Sequence, residues 1–192
     1  KRMDYNNIKS KQKNSVCHLT INRPEQLNAL NEETILELNQ AINSANKDPK
    51  VRCIILSGSG NKAFVAGADI KEFASFDTSS GENLSRRGQE LLFDLLENIG
   101  TPTIAAINGF ALGGGLELAM SCHIRLSSDT AKMGLPEVTL GVILGYGGTQ
   151  RLAKLVGKGR ALEMIMTGNM ISAKQAKSWG LVNDVFPQEE LI

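Results

Sequence analysis

The sequence predicts an α/β fold with largely parallel strand pairing, and two kinds of segment support this. Val51–Leu56 and Pro102–Ile107 are short apolar runs with the length of a buried strand. Between them, the leucines of Leu84–Ile99 recur at helical spacing. Strands that alternate with helices are typical of α/β architecture.

The N-terminal part is predicted to form two strands and a helix. Val16–Ile21 alternates apolar and polar residues, and Ile8–Ser10 could be its hairpin mate, with Lys11–Asn14 as the turn. Apolar residues then recur at helical spacing from Asn31, a plausible N-cap, to about Asn46.

The C-terminal part is predicted to continue the alternation, without an internal repeat or a linker, as one domain over residues 1–192. Its predicted elements are a strand over Cys122–Leu126, helices over Thr149–Val156, Ala161–Thr167 and Ala173–Trp179, and a final strand over Val182–Phe186. Ser172 and Gly180 are expected to cap the last helix.

Composition and charge exclude several classes of function. The chain has 192 residues, 42% of them hydrophobic and 21% charged, with a net charge of +1, which is globular composition. Because no basic block stands out, we expect no nucleic-acid partner. No apolar run approaches the roughly 18 residues of a membrane span, so we expect no membrane association.

The cysteines and histidines argue against disulfides and metal sites. Cys17, Cys53 and Cys122 are widely spaced and form no CxxC pair, which predicts reduced thiols in a cytoplasmic compartment. With two distant histidines and no cysteine cluster, no catalytic metal is expected.

Two carboxylates and a glycine-rich turn are the strongest candidate site. Three glycines, Gly113 to Gly115, precede a predicted helix start with Glu117 in its first turn, and Glu137 follows downstream. Glycines allow close approach to backbone N–H groups, and a helix start leaves such groups unpaired. Carboxylates beside these donors suit proton transfer next to a stabilised oxyanion. The alternative is a tight packing point with both glutamates on the surface.

A second candidate oxyanion site lies at Gly67-Ala68, where small residues allow close approach to the backbone. Asp69 could cap a helix from Ile70, and such an N-terminus suits an anion or a carbonyl oxygen. Phosphate-binding patterns of the GxxxxGK[ST] and GxGxxG type are absent from the sequence.

Five ordered motifs together resemble the enoyl-CoA hydratase (crotonase) family. They are Asn22-Arg23-Pro24 with Leu27-Asn28-Ala29-Leu30, then Ala66 to Ile70, Asn108 to Ala119, Leu135-Pro136-Glu137, and Gly147 to Leu152. The resemblance covers nearly the whole chain and implies a crotonase-like spiral of ββα turns. It also implies that an acyl-CoA is bound, with its thioester carbonyl at two backbone N–H groups.

The resemblance implies a role for each candidate residue. The oxyanion donors would be the N–H groups of Ala68 and Gly114, and Gly145 would shape the water side of the pocket. Glu117 would deprotonate the water that attacks the β-carbon, and Glu137 would deliver a proton to the α-carbon. Residues expected to contact the CoA portion are Leu27, Ala66, Asp69, Ile70 and Lys71.

The family hosts several reactions, so alternatives remain. The pair of carboxylates favours hydration of a 2-enoyl-CoA in fatty-acid metabolism, without a cofactor beyond the CoA thioester substrate. An enoyl-CoA isomerase is a second possibility within the same fold, and a non-catalytic binding protein is a third.

Family members usually continue past the Val185 strand with further helices that cover the acyl pocket and build a trimer. This sequence stops at Ile192, so the C-terminal helical segment is expected to be missing here. A homotrimer or a dimer of trimers is expected where those helices exist.

Overall fold

The computed structural model describes residues 4–69 and 78–192, which form two sheets flanked by helices. The larger sheet runs, in spatial order, β1 (Ile8–Lys13), β2 (Val16–Ile21), β3 (Cys53–Gly58), β5 (Thr103–Ile107), β7 (Ile124–Ser128) and β10 (Asp184–Phe186). The smaller sheet runs β4 (Ala63–Ala66), β6 (Phe110–Leu112), β8 (Lys132–Gly134) and β9 (Ile171–Ser172). Within the described residues, β1 with β2 and β8 with β9, each at one edge of its sheet, are antiparallel, and the other pairs are parallel.

The described helices lie between and after these strands. They are α1 (Glu32–Lys47), α2 (Thr78–Gly88), a π-helical turn (Gln89–Phe93), α3 (Asp94–Asn98), α4 (Gly114–Ser121), α5 (Gly148–Val156), α6 (Lys158–Thr167) and α7 (Ala173–Trp179). Short 3-10 turns cover Pro24–Gln26, Pro136–Leu140 and Gln188–Glu190.

The strands alternate between the two sheets along the chain, which produces a spiral. β3, β5 and β7 lie in the larger sheet, and each is followed by a strand of the smaller sheet, namely β4, β6 and β8. α4 follows β6 and packs against β4 and β6. The predicted α/β class and the spiral of ββα turns are confirmed.

The caps predicted for α1 and α7 are confirmed, whereas the helix that Asp69 was predicted to cap lies outside the described residues. The Asn31 side chain accepts a hydrogen bond from the Thr34 N–H, and Ser172 accepts one from Gln175. Gly180 ends α7 in the left-handed conformation that favours glycine. The first hairpin is also present, but β1 extends to Lys13, so its turn is shorter than predicted.

The segment predicted as one helix over Leu84–Ile99 is interrupted by the π-helical turn. Gly88, just before that turn, lies against Tyr146, and a Cβ there would be 2.6 Å from the Tyr146 ring. Leu92 and Leu96 are nevertheless fully buried, as the leucine spacing predicts.

Candidate active site

The triple glycine lies where β6 passes into α4, and the helix begins earlier than expected. Gly113 is the N-cap, with φ of 50°, and Gly114 is the first helical residue. This places the N–H of Gly114 among the unpaired donors of a helix start. Within the described residues, the Gly114 N–H has no hydrogen-bond partner.

Ala68 presents a second backbone donor beside this helix start. Leu30 donates to the Gly67 carbonyl at 3.0 Å and accepts from the Asp69 N–H at 2.8 Å. These two bonds form a parallel bridge between Leu30 and Ala68, in which the Ala68 N–H points away from Leu30. A Cβ placed on Gly114 would lie 3.8 Å from the Ala68 nitrogen, so the two donors border one small space.

An ion pair holds the Ala68 segment against the turn that follows β2. Arg23 Nη2 lies 2.8 Å from Asp69 Oδ2, and both side chains are largely buried. Arg23 Nη1 also donates to the Ala29 carbonyl. Leu27 adopts φ of 50°, which is uncommon for a branched residue, and its carbonyl accepts from the Ala66 N–H at 3.1 Å.

Glu117 is buried and bound by two backbone donors of the turn before α5. Its side chain is 1% exposed, and Oε1 accepts from Tyr146 N–H at 2.9 Å and from Gly148 N–H at 2.7 Å. Gly148 has to be glycine, because a Cβ there would lie 2.8 Å from the same oxygen. The carboxylate therefore lies at the positive N-terminal end of α5.

Burial raises the pKa of Glu117 to about 7. The two backbone hydrogen bonds and the Arg151 charge oppose this rise in pKa, and the Glu137 charge adds to it. A carboxyl group with a pKa near neutrality can both take and give a proton under physiological conditions.

Glu137 lies beside the α4 start, in the 3-10 turn Pro136–Leu140. A Cβ on Gly113 would lie 2.6 Å from Glu137 Oε1, so the carboxyl group packs directly against the glycine turn. Its Oε2 is buried and has no hydrogen-bond partner among the described residues. Burial raises the pKa of Glu137, which favours its protonated form.

Gly145 lies between this site and α2, where Ser85 Oγ donates to its carbonyl oxygen. The next residue, Tyr146, stacks its ring on Phe93, with centroids 4.3 Å apart and planes 8° from parallel. The ring also lies next to Gly114, since a Cβ there would be 3.4 Å from Tyr146 Cδ2.

The structure thus brings Ala68, Gly114, Glu117, Glu137 and Gly145 to one place around the start of α4. Leu27, Ala66 and Asp69 lie together along the edge that ends at Ala68. Ile70 and Lys71, expected to contact CoA, lie outside the described residues.

Three contributing residues were not singled out from the sequence. Arg23 and Arg151 each belong to a quoted motif, but nothing in those motifs showed which partners their guanidinium groups bind. Tyr146 follows Gly145 directly, and its N–H bond to Glu117 spans 29 positions of the chain.

Comparison with known proteins decides the family. A family profile described as enoyl-CoA hydratase/isomerase matches residues 11–192. The chain belongs to this family. It is 46% identical over 190 residues to a crotonyl-CoA hydratase of Syntrophomonas wolfei, covering 99% of this chain and 73% of that protein. A short-chain-enoyl-CoA hydratase of Clostridium acetobutylicum is 47% identical over 190 residues, covering 99% of this chain and 72% of that protein.

Solved structures of the enoyl-CoA hydratase/isomerase family share the fold. An enoyl-CoA hydratase subunit of Geobacillus kaustophilus superposes with a TM-score of 0.93 at 44% identity, over 98% of this chain and 72% of that one. A Bacillus anthracis enoyl-CoA hydratase gives a TM-score of 0.89 at 41% identity, over 97% of this chain and 72% of that one.

None of the helices in the described ranges combines the length and apolar character that crossing a bilayer requires. Across residues 4–69 and 78–192, His, Cys, Asp and Glu side chains nowhere gather in a group of three that could hold a metal ion.

Proposed function

We propose that this protein is an enoyl-CoA hydratase, which adds water reversibly to a 2-trans-enoyl-CoA to give a 3-hydroxyacyl-CoA. Its relatives named crotonyl-CoA hydratase and short-chain-enoyl-CoA hydratase support this assignment. We also propose that no metal or redox cofactor takes part, with the proton transfers left to the two glutamates and the carbonyl charge to backbone N–H groups.

One observation carries the proposal: a buried and a half-buried carboxyl group with different hydrogen bonding lie beside the same helix start. Glu117 Oε1 is bound by two N–H groups, which stabilise a carboxylate. Glu137 Oε2 has no partner within the described residues, an arrangement that favours a protonated carboxyl group. We assign the base to Glu117 and the acid to Glu137, and the two carboxyl groups face one space beside the donors of Ala68 and Gly114.

These groups account for every bond that changes in hydration. The water oxygen bonds to the β-carbon while Glu117 takes one of its protons. The electron pair of the double bond moves toward the thioester, whose oxygen gains charge between the N–H groups of Ala68 and Gly114. Glu137 then gives its proton to the α-carbon. Losing one such oxyanion donor typically costs about 2.7–4 kcal/mol of transition-state stabilisation.

The CoA portion is proposed to bind along the edge formed by Leu27, Ala66 and Asp69, continuing toward Ile70 and Lys71. The left-handed Leu27 turn and its hydrogen bond to Ala66 support this placement, because they form one backbone surface leading to Ala68. Gly145 is proposed to border the water side, where its lack of a side chain leaves room.

The decisive experiment measures the loss of crotonyl-CoA absorbance at its conjugated thioester band. The unchanged protein should turn over, whereas Glu137→Gln should lose about 10²- to 10⁴-fold in kcat because its proton donor is gone. Glu163→Gln, an exposed change on α6, is the control. Absence of turnover in the folded, unchanged protein would refute the assignment.

The isomerase alternative makes a different forecast with the same variants. An isomerase converts a 3-enoyl-CoA to the 2-enoyl isomer and needs a single carboxylate to move one proton. Glu117→Gln would then leave turnover of a 3-enoyl-CoA largely intact, whereas a hydratase loses crotonyl-CoA hydration in the same variant.

We also propose a cytoplasmic location and a homotrimer or a dimer of trimers. The three free cysteines support a reducing compartment. Exposed apolar side chains support burial in an assembly, and the largest exposed fractions include those of Ile143 (86%), Met166 (69%) and Leu140 (60%).

A further inference from the structure

We propose that Arg151 is a positioning residue for the reaction: its guanidinium fixes the turn over residues 145–148, and that turn holds the Glu117 carboxylate. This inference rests on the proposed hydratase function, in which Glu117 takes the proton from water. It assigns a part in the reaction to a side chain that does not reach the substrate.

The Arg151 guanidinium is buried and bound on two sides. Nη1 donates to the Tyr146 carbonyl at 2.7 Å. Nε and Nη2 donate to Glu97 Oε2 at 2.9 and 2.6 Å, and Nη2 lies 3.5 Å from Asp94 Oδ1. The Arg151 side chain is 7% exposed, whereas those of Asp94 and Glu97 are 48% and 44% exposed. The guanidinium thus connects the half-exposed carboxylates of Asp94 and Glu97 on α3 to the buried Tyr146 carbonyl.

Tyr146 connects this guanidinium to the catalytic carboxylate. Its carbonyl accepts from Arg151, and its N–H donates to Glu117 Oε1 at 2.9 Å. The Tyr146 carbonyl is therefore held by Arg151, and the Tyr146 N–H is held by Glu117. Without the guanidinium, the Tyr146 carbonyl loses a buried charge-assisted bond, and the turn is free to rotate away from Glu117.

Close packing between Arg151 and the turn supports a positioning role. Gly147 adopts φ of 80°, and a Cβ there would lie 2.4 Å from Arg151 Nη1. The guanidinium therefore lies directly against the turn. The next residue, Gly148, gives the second N–H bond to Glu117, so displacement of the turn removes both donors together.

Two variants of Arg151 separate the effect of its charge on Glu117 from the effect of its hydrogen bonds on the turn. Glu137 and Arg151 act on Glu117 with opposite sign, and Asp94, Glu97 and Tyr146 are the further titratable groups that contact Arg151. Arg151→Lys keeps the charge, but an ammonium cannot reproduce the planar fork that binds Tyr146 and Glu97 together. Arg151→Met removes both the charge and the hydrogen bonds.

The test compares these two variants in steady-state kinetics with crotonyl-CoA. Arg151→Lys should lower kcat by about 10- to 100-fold, the usual effect of a small misplacement, with KM nearly unchanged. Arg151→Met should also move the Glu117 ionisation seen in the pH–rate profile to higher pH. Arg160→Lys and Arg160→Met, whose guanidinium lies over the Trp179 ring on the surface of α6, are matched controls.

A second readout does not depend on turnover. In protein labelled with ¹³C at glutamate carboxyl carbons, the Glu117 resonance is assigned by its loss in Glu117→Gln and titrated against pH. Its midpoint should rise in both folded variants, because both release the turn that donates to Glu117, and it should rise further in Arg151→Met, which also removes the charge. Unchanged midpoints in both variants, or full kcat in Arg151→Lys, would overturn the positioning role. Failure of the hydratase assignment appears separately, as no turnover in the unchanged protein.

Discussion

Three adjacent glycines at the start of α4 are required for three different reasons. Gly113 has a positive φ, and a Cβ there would lie 2.6 Å from the Glu137 carboxyl group. At Gly115 a Cβ would lie 1.9 Å from the Val65 carbonyl oxygen, so α4 could not pack on β4. At Gly114 the nearest atom would be 3.4 Å away, an ordinary contact. Gly113 and Gly115 therefore serve folding, and Gly114 keeps the space beside Ala68 open.

Gly114→Ala should give a folded but impaired enzyme. The new methyl group fits without a clash, yet it occupies the space 3.8 Å from the Ala68 nitrogen where the thioester oxygen is proposed to lie. We expect a loss of about 10²- to 10³-fold in kcat, comparable to removing an oxyanion donor. The melting temperature should hold or rise slightly, because alanine favours helix.

Kinetics and thermal melting of the same preparation check this. Gly159→Ala on α6 is the control, because a Cβ there meets nothing within 4 Å. Gly115→Ala should instead unfold or melt much lower. Wild-type kcat in Gly114→Ala would show that the carbonyl does not bind beside this glycine.

At the level of secondary-structure elements, the position of the Ala68 N–H depends on the contacts between the end of β4 and the turn after β2. Just after β4, Ala68 forms an isolated bridge with Leu30, and the ion pair of Arg23 with Asp69 lies directly beside it. Because Asp69 follows Ala68, the direction of the Ala68 N–H depends on this ion pair.

Arg23→Met should therefore weaken both stability and turnover. Removing the Arg23 guanidinium breaks a largely buried ion pair and costs about 1–3 kcal/mol of unfolding free energy. A displaced Ala68 N–H should lower kcat by about tenfold or more. Urea denaturation and crotonyl-CoA kinetics measure the two effects.

Arg86→Met is the matched control, since its ion pair with Glu82 is exposed and such pairs contribute about 0–1 kcal/mol. If Arg23→Met lost stability but kept wild-type kcat, the pair would be structural only.

For the molecule as a whole, the sequence predicted the elements whose cause is local. The spacing of apolar residues in α1 and its Asn31 cap are properties of one segment, and both were predicted. β6 and β8 span three residues each, too few for a pattern, and exist only because neighbouring strands pair with them. The π-helical turn likewise depends on packing against residues distant in sequence.

The site features likewise divide into those with a local cause, which the sequence predicted, and those that depend on distant contacts. The glutamates and glycines could be proposed because chemistry restricts which residue types suit such roles. The N–H groups that bind Glu117 lie 29 and 31 positions away in the chain, and the ion pairs of Arg151 with Glu97 and Asp94 span 54 and 57 positions, so no local pattern encodes them.

The burial of Glu117 should be measurable in the stability of the whole protein. Its pKa rises from the ordinary value of 4.5 to about 7, so between these pH values the folded protein holds a proton that the unfolded chain releases. The stabilisation from this proton is fully present below about pH 4.5 and is lost as pH rises through about 7.

Glu117→Gln cannot ionise, and its amide oxygen can still accept the two N–H bonds. Relative to the unchanged protein, its unfolding free energy should therefore gain on the order of 1–3 kcal/mol between pH 5 and pH 8. Urea denaturation at both pH values measures this difference, with Glu163→Gln on the exposed face of α6 as control. Equal changes in stability for the Glu117→Gln variant and the unchanged protein would mean that Glu117 is ionised at pH 5 in the folded state.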